Sequence, residues 1–154
     1  MNSVHPLLHL SDPEATSWLA RALASRLHAG DCLMLEGQIG AGKTHFARSL
    51  IQSFVAEEVP SPTFTLVQVY DAPSFEIWHA DLYRLSHQDE AIELGLTEAF
   101  ESALCLVEWP EKLGSDRPKQ SLTLRFSISG DGRDVRFLSD DPDWSDRLKG
   151  ALNV

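Results

Sequence analysis

Residues 32–44 read CLMLEGQIGAGKT: a short apolar run, Cys32–Glu36, leads straight into Gly37-Gln38-Ile39-Gly40-Ala41-Gly42-Lys43-Thr44. The run has the length of a buried strand. The next residues, to about Ala56, place Phe46, Ala47, Leu50, Ile51 and Phe54 at helical spacing. Strand, glycine loop and helix in that order form the setting of a phosphate-binding P-loop, Gly-x-x-x-x-Gly-Lys-Thr. Glycines let backbone N–H groups converge on phosphate oxygens, and the helix N-terminus adds partial positive charge. Lys43 is then placed for β- and γ-phosphates and the Thr44 hydroxyl for Mg²⁺. In a random chain of this length the pattern arises on the order of half a per cent of the time, so nucleotide binding is the expectation.

Upstream, Val4–Leu10 reads as a strand, and a helix opens at Ser11-Asp12-Pro13-Glu14, where Ser11 and Glu14 have capping-box spacing. Ala15, Trp18, Leu19, Ala22, Leu23 and Leu27 form its apolar stripe, ending near Gly30. Downstream, Pro60 and Pro62 break the chain. Phe64–Tyr70 and Phe75–Ala80 read as strands joined by Asp71-Ala72-Pro73-Ser74. Short helices are expected over Gln88–Leu94 and Thr97–Ser102, then a buried strand over Ala103–Trp109. Ser121–Ile128 and Arg133–Leu138 form a hairpin about Gly130-Asp131-Gly132, and a last helix runs from Pro142 to about Leu152. These elements predict an α/β fold with a central mixed sheet covered by helices and extended by antiparallel hairpins.

The 154 residues, 43% hydrophobic and 23% charged, suit one domain spanning 1–154. Thirteen Lys+Arg against twenty-three Asp+Glu give a net charge of -10, which argues against autonomous binding to nucleic acid. No apolar run exceeds Ala103–Val107, far short of the ~20 residues of a membrane helix. The first residues lack the basic and apolar regions of a signal peptide, so a cytoplasmic location is expected. Cys32 and Cys105 lie inside apolar runs and read as small buried hydrophobes. Neither a CxxC nor an HExxH pattern points to zinc.

Two apolar strands end in acids, at Asp81 and at Glu108. A carboxylate at that edge of an α/β sheet, beside a P-loop, either binds Mg²⁺ or orients the attacking water, and either residue fits. Capping a helix or pairing with Arg84 is the plainer alternative. Glu111 reads as a solvated acid, His79 and Trp78 as packing or hydrogen-bonding residues. Trp109-Pro110 reads as a rigid corner or an exposed recognition feature. Ser61-Pro62-Thr63-Phe64-Thr65 is either a strand start or a segment through which Thr63 senses phosphate or metal. Guanine-reading Asn-Lys-x-Asp is missing, the only asparagines being Asn2 and Asn153. A small-molecule kinase and a non-catalytic nucleotide-sensing adaptor stay open as alternatives, although the arginine-rich lid that such kinases use has no compact counterpart in the sequence.

Taken together, the Gly37–Thr44 loop, Ser61–Val67, His79-Ala80-Asp81-Leu82-Tyr83-Arg84-Leu85, Glu93-Leu94-Gly95 and Val107-Glu108-Trp109-Pro110-Glu111 closely resemble the TsaE (YjeE-like) family. The resemblance covers about Ser11 to Arg133. It implies a P-loop NTPase fold and hydrolysis of ATP with Mg²⁺, in support of TsaB and TsaD proteins that make threonylcarbamoyladenosine in tRNA. The tRNA would be met only through that complex. It further implies that Gly37, Gln38, Ile39, Gly40, Ala41, Gly42, Lys43, Thr44 and His45 wrap the phosphates. Thr44 and Glu108 would serve the metal, Asp81 the catalytic water or the metal, and Lys43, Asp81 and Glu108 the chemistry. Ser61–Thr65 would be a switch, while Ser11 and Arg133 would flank adenine and ribose. Neither Arg84 nor Arg48 stands out as an internal arginine finger, so slow hydrolysis alone and acceleration by a docked partner are expected.

Overall fold

The computed structural model describes residues 1–56 and 66–152. Strands β1 (Asn2–Leu10), β2 (Cys32–Glu36), β3 (Val67–Asp71), β4 (Glu76–Asp81), β5 (Leu104–Glu108), β6 (Leu122–Ser129) and β7 (Gly132–Ser139) form one sheet. Its order is β1-β7-β6-β2-β5-β4-β3. The centre is parallel, β6-β2-β5-β4, while β3 pairs antiparallel with β4 and β7 pairs antiparallel with both β6 and β1. The mixed sheet with added hairpins is therefore as expected.

Strands flanked on both edges and both faces must be apolar throughout, and β5 is buried at every position. Alternation then sorts the side chains into two cores. Leu33, Leu35, Leu104 and Leu106 pack with helices α1 (Pro13–Ala24), α2 (Lys43–Gln52) and α5 (Asp143–Leu152). Cys32, Met34, Cys105 and Val107 pack with α3 (Asp89–Glu93) and α4 (Leu96–Ser102) on the other face. Both thiols are buried hydrophobes, as read from the sequence.

Four local expectations shift. The cap of α1 is Asp12, not Ser11: Pro13 occupies the first turn, and the extended Asp12 turns its Oδ1 to accept from the Ala15 N–H at 2.8 Å. The buried stripe of α1 is Thr16, Leu19, Ala20, Leu23 and Ala24, and Trp18 is 45% exposed. Helix α2 ends at Gln52, four residues early. A 3-10 segment, Pro110–Asp116, also follows β5 where a plain loop was expected. Thr63 and the Ser61–Thr65 segment lie outside the described residues.

Candidate functional site

The P-loop leaves β2 at the centre of the sheet, with α2 starting immediately after it. Three of its glycines have positive φ: Gly37 at 145°, Gly40 at 85° and Gly42 at 100°. They differ in what surrounds them. A Cβ on Gly37 would lie 2.7 Å from the Phe126 carbonyl oxygen, whereas Cβ atoms on Gly40 and Gly42 would meet nothing within 4 Å. Gly37 therefore lets the loop pass under β6, and the other two leave the inner face of the loop open. Gly37→Ala is expected to cost more than about 2 kcal/mol and to lower the melting temperature by at least about 5 °C, since strain and clash add. Gly40→Ala carries only the backbone strain, about 1 kcal/mol. Equal melting shifts for the two variants would contradict this reading.

Three arginines brace the loop and the strand end that leads into it. Arg133 donates to the Gly132 carbonyl at 2.8 Å and to the Gly40 carbonyl at 3.0 Å, tying the start of β7 to the loop's crest. Below it, Glu36 accepts from Arg117 and from Arg125, each at 2.7 Å. Burial alone would raise the Glu36 carboxyl, but its hydrogen bonds to Arg125 and Arg117 outweigh that and hold it below the usual carboxylate range.

Lys43 is buried. Its ammonium donates to the Gly37 carbonyl and stands 3.5 Å from the centroid of the Trp109 ring, which in turn meets the Tyr83 ring at 4.9 Å, tilted by 50°. Burial lowers the Lys43 pKa, against the raising influence of Glu108, Glu111 and Asp81. Trp109 is the one non-glycine residue with positive φ among the described residues, at 60°. Pro110 follows it directly, so the corner turns the indole back over the loop. Trp109 is thus a corner residue whose indole is half-buried against the core.

The two acids stand side by side because β4 and β5 pair in register, Asp81 opposite Glu108, with Leu35 of β2 opposite Glu108 on the other side. Their environments differ. Glu108 is 2% exposed; its Oε1 accepts from the Thr44 hydroxyl at 2.7 Å and its Oε2 from His79 Nε2 at 2.7 Å. Asp81 is half-buried, and its Oδ1 accepts from the Tyr83 N–H at 3.1 Å. Burial raises the Asp81 pKa, the Glu108 charge adds to this, and the Tyr83 N–H, His79 and Lys43 oppose it. Neither acid pairs with Arg84, and Glu111 is exposed as expected.

Two cavities meet along the loop. One, of about 340 Å³, is lined by Ile39, Gly40, Lys43, Thr44, Asp81 and Glu108 among others. The second, of about 300 Å³, is lined by Asp12, Pro13, Thr16, Asp131 and Arg133 among others. Gly42 and His45 line both. His45 is fixed there through Nε2, 3.0 Å from both Ser17 Oγ and the Pro13 carbonyl. Of the expected residues, Ser11 lines neither cavity. Gln38 is exposed and its carbonyl accepts from the Ala41 N–H at 3.1 Å, while Ala41 is buried beneath the loop.

A family profile described as "Threonylcarbamoyl adenosine biosynthesis protein TsaE" matches residues 10–135. The chain belongs to the TsaE family. A TsaE protein of Rickettsia felis is 45% identical over 107 residues, which cover 68% of this chain and 63% of that one. TsaE proteins of Rickettsia bellii and Bacillus subtilis are 38% and 36% identical, covering 80% and 83% of this chain and 88% and 82% of theirs. The crystal structure of Bacillus subtilis YdiB superposes with a TM-score of 0.77 over 96% of this chain and 94% of that chain, at 24% identity, a likeness of fold. The TsaE chain described here thus has a P-loop NTPase fold. Among its described residues no helix is long and apolar enough to cross a membrane.

The hydrogen-bonding reading of His79 holds, but the sequence did not reveal Glu108 as its partner, nor the contacts of Trp109 with Lys43 and Tyr83. For His79 a signal existed: Ile77, His79 and Asp81 alternate along β4, so the imidazole shares a face with the acid two residues on. The strand order that brings Glu108 beside them is not local information.

Proposed function

We propose that this chain is a cytoplasmic ATPase, acting as one P-loop domain, that hydrolyses MgATP in support of a TsaB–TsaD-type complex making threonylcarbamoyladenosine in tRNA. The observation that carries the hydrolytic part is the Thr44 hydroxyl bonded to the Glu108 carboxylate at the foot of the open glycine loop. Family membership supports the tRNA modification. The charge of -10 suits a protein that meets tRNA only through its partners.

The residues divide the work by environment. Gly40 and Gly42 leave room for phosphate oxygens against the loop's N–H groups, and Lys43 swings its ammonium from the Gly37 carbonyl toward them. The second cavity, between Pro13 and Arg133, takes the nucleoside. Thr44 and Glu108 offer the hard oxygen ligands that Mg²⁺ favours, and the ion when bound would neutralise phosphate charge. Both Glu108 oxygens are already engaged, so the less encumbered Asp81 is the carboxylate to orient the attacking water and receive its proton on Oδ2.

Because burial raises the Asp81 pKa, the ionised form opposes folding: the stability linked to its proton is complete below the ordinary carboxylate range and lost as pH rises through the elevated value. Asp81→Asn keeps an acceptor for the Tyr83 N–H. At pH 7 it is expected to melt at or above the wild-type temperature, the difference closing below about pH 4, while turnover falls at least about tenfold. A melting temperature well below wild type at pH 7 would instead make Asp81 structural.

The γ-phosphate decides the reaction class. Labelled MgATP is expected to yield inorganic phosphate, slowly. Transfer to a small-molecule acceptor would mark a kinase, and tight binding without turnover, with or without partners, would mark a nucleotide-sensing adaptor.

A further inference from the structure

We propose that His79 is a positioning residue that fixes the Glu108 carboxylate so that Thr44 presents its lone pairs to the metal; the inference rests on the MgATP reading above. His79 occupies a core position. It lies between Ile77 and Asp81 on the face of β4 that packs with α2, beside Leu104 and Leu106 of β5, and is fully buried. An apolar side chain would fill that place without desolvation cost, so a buried imidazole there calls for a compensating partner. Its Nε2 is 2.7 Å from Glu108 Oε2, and Nδ1 has no partner among the described residues. The polar chemistry of the ring is thus directed at one carboxylate oxygen.

That bond has a geometric consequence. The terminal torsion of a glutamate is broad, so one hydrogen bond leaves its carboxylate free to rotate. Bonds on both oxygens, from Thr44 to Oε1 and from His79 to Oε2, fix the plane. With its proton committed to Oε1, the Thr44 hydroxyl keeps its lone pairs free for a cation in the cavity that it lines. Ligands held by such outer partners lose about 10–100-fold in metal affinity or activity when the partner is removed.

The test compares His79→Gln, whose amide nitrogen reaches the place of Nε2, with His79→Asn, which is one methylene too short. ADP affinity is measured with and without Mg²⁺, and the strengthening by Mg²⁺ is the readout. His79→Gln is expected to keep the wild-type gain within about twofold and His79→Asn to lose about tenfold of it, with metal-free affinity kept in both. A full gain in His79→Asn, or an equal loss in both variants, overturns the proposal. Wild-type protein that binds no ADP, or binds it without response to Mg²⁺, overturns the MgATP reading itself and this inference with it. Imidazole ¹⁵N spectra of the unmutated protein give a check independent of variant folding. A slowly exchanging Nε2–H at His79 that shifts when MgADP is added is expected, and an Nε2 without a bonded proton overturns the proposal.

Discussion

Lys43→Ala is expected to reduce phosphate release from MgATP by at least about a hundredfold, the loss typical of removing a fixed charge or donor from a transition state. Lys43 is surrounded by acids: Glu108, Glu111 and Asp81 all act on its ammonium. Without it, the cavity becomes net negative, so on the MgATP reading nucleotide affinity should fall along with turnover. The fold should survive. The ammonium's own contacts are the Gly37 carbonyl and the Trp109 ring, and removing a cation from a buried place relieves a desolvation cost. A melting temperature within a few degrees of wild type, together with lost hydrolysis, is the expected pair of results. Retained hydrolysis would remove the P-loop from the chemistry.

Glu108 should behave differently, because it supports structure and site together. Glu108→Ala leaves the His79 N–H without an acceptor in a fully buried place, at a cost of about 1–3 kcal/mol, to which the lost packing adds. It also frees Thr44. Glu108→Gln separates the two effects. Its carbonyl can still accept from His79 while its amide donates to Thr44 Oγ1, so the fold is kept and the Thr44 hydroxyl is turned round. Thermal unfolding should therefore place the glutamine variant near wild type and the alanine variant well below it, with both losing most turnover. If both melt alike and the glutamine variant stays active, Glu108 has no role in the site.

The part of this protein that could be read directly was the part whose signals are local. Apolar residues 32–35, the glycine spacing from Gly37 to Thr44 and the helical stripe of Phe46, Ala47, Leu50 and Ile51 each depend only on neighbours in sequence, and all appear in the fold. Asp81 and Glu108 were legible as acids ending apolar strands. What they touch was not, because β5 inserts between β2 and β4 and the register that sets Asp81 opposite Glu108 is a tertiary property. The different roles proposed for them rest on that register and on the two bonds that occupy Glu108.

Smaller misreadings have equally physical causes. Ser11 and Asp12 are both good caps, and Pro13 at the first helical position selects the residue just before it. Trp18 has the hydrophobicity of a core residue, but the face of α1 that meets α2 and α5 is filled by Leu19, Leu23 and small Ala20 and Ala24. Trp109 adopts a left-handed conformation that no residue preference would predict, costing about 1–2 kcal/mol, and its contacts with Lys43 and Tyr83 offset that cost. That strained corner lies directly over the P-loop lysine, Lys43.

The most direct measurement of the central claim is phosphate release from MgATP by the purified protein, alone and with a reconstituted TsaB–TsaD pair, with Lys43→Ala as the control. Slow release alone, faster release with the pair and none from Lys43→Ala in either condition is the predicted outcome. Absence of release from the wild-type protein in both conditions, or release that persists in Lys43→Ala, would contradict it.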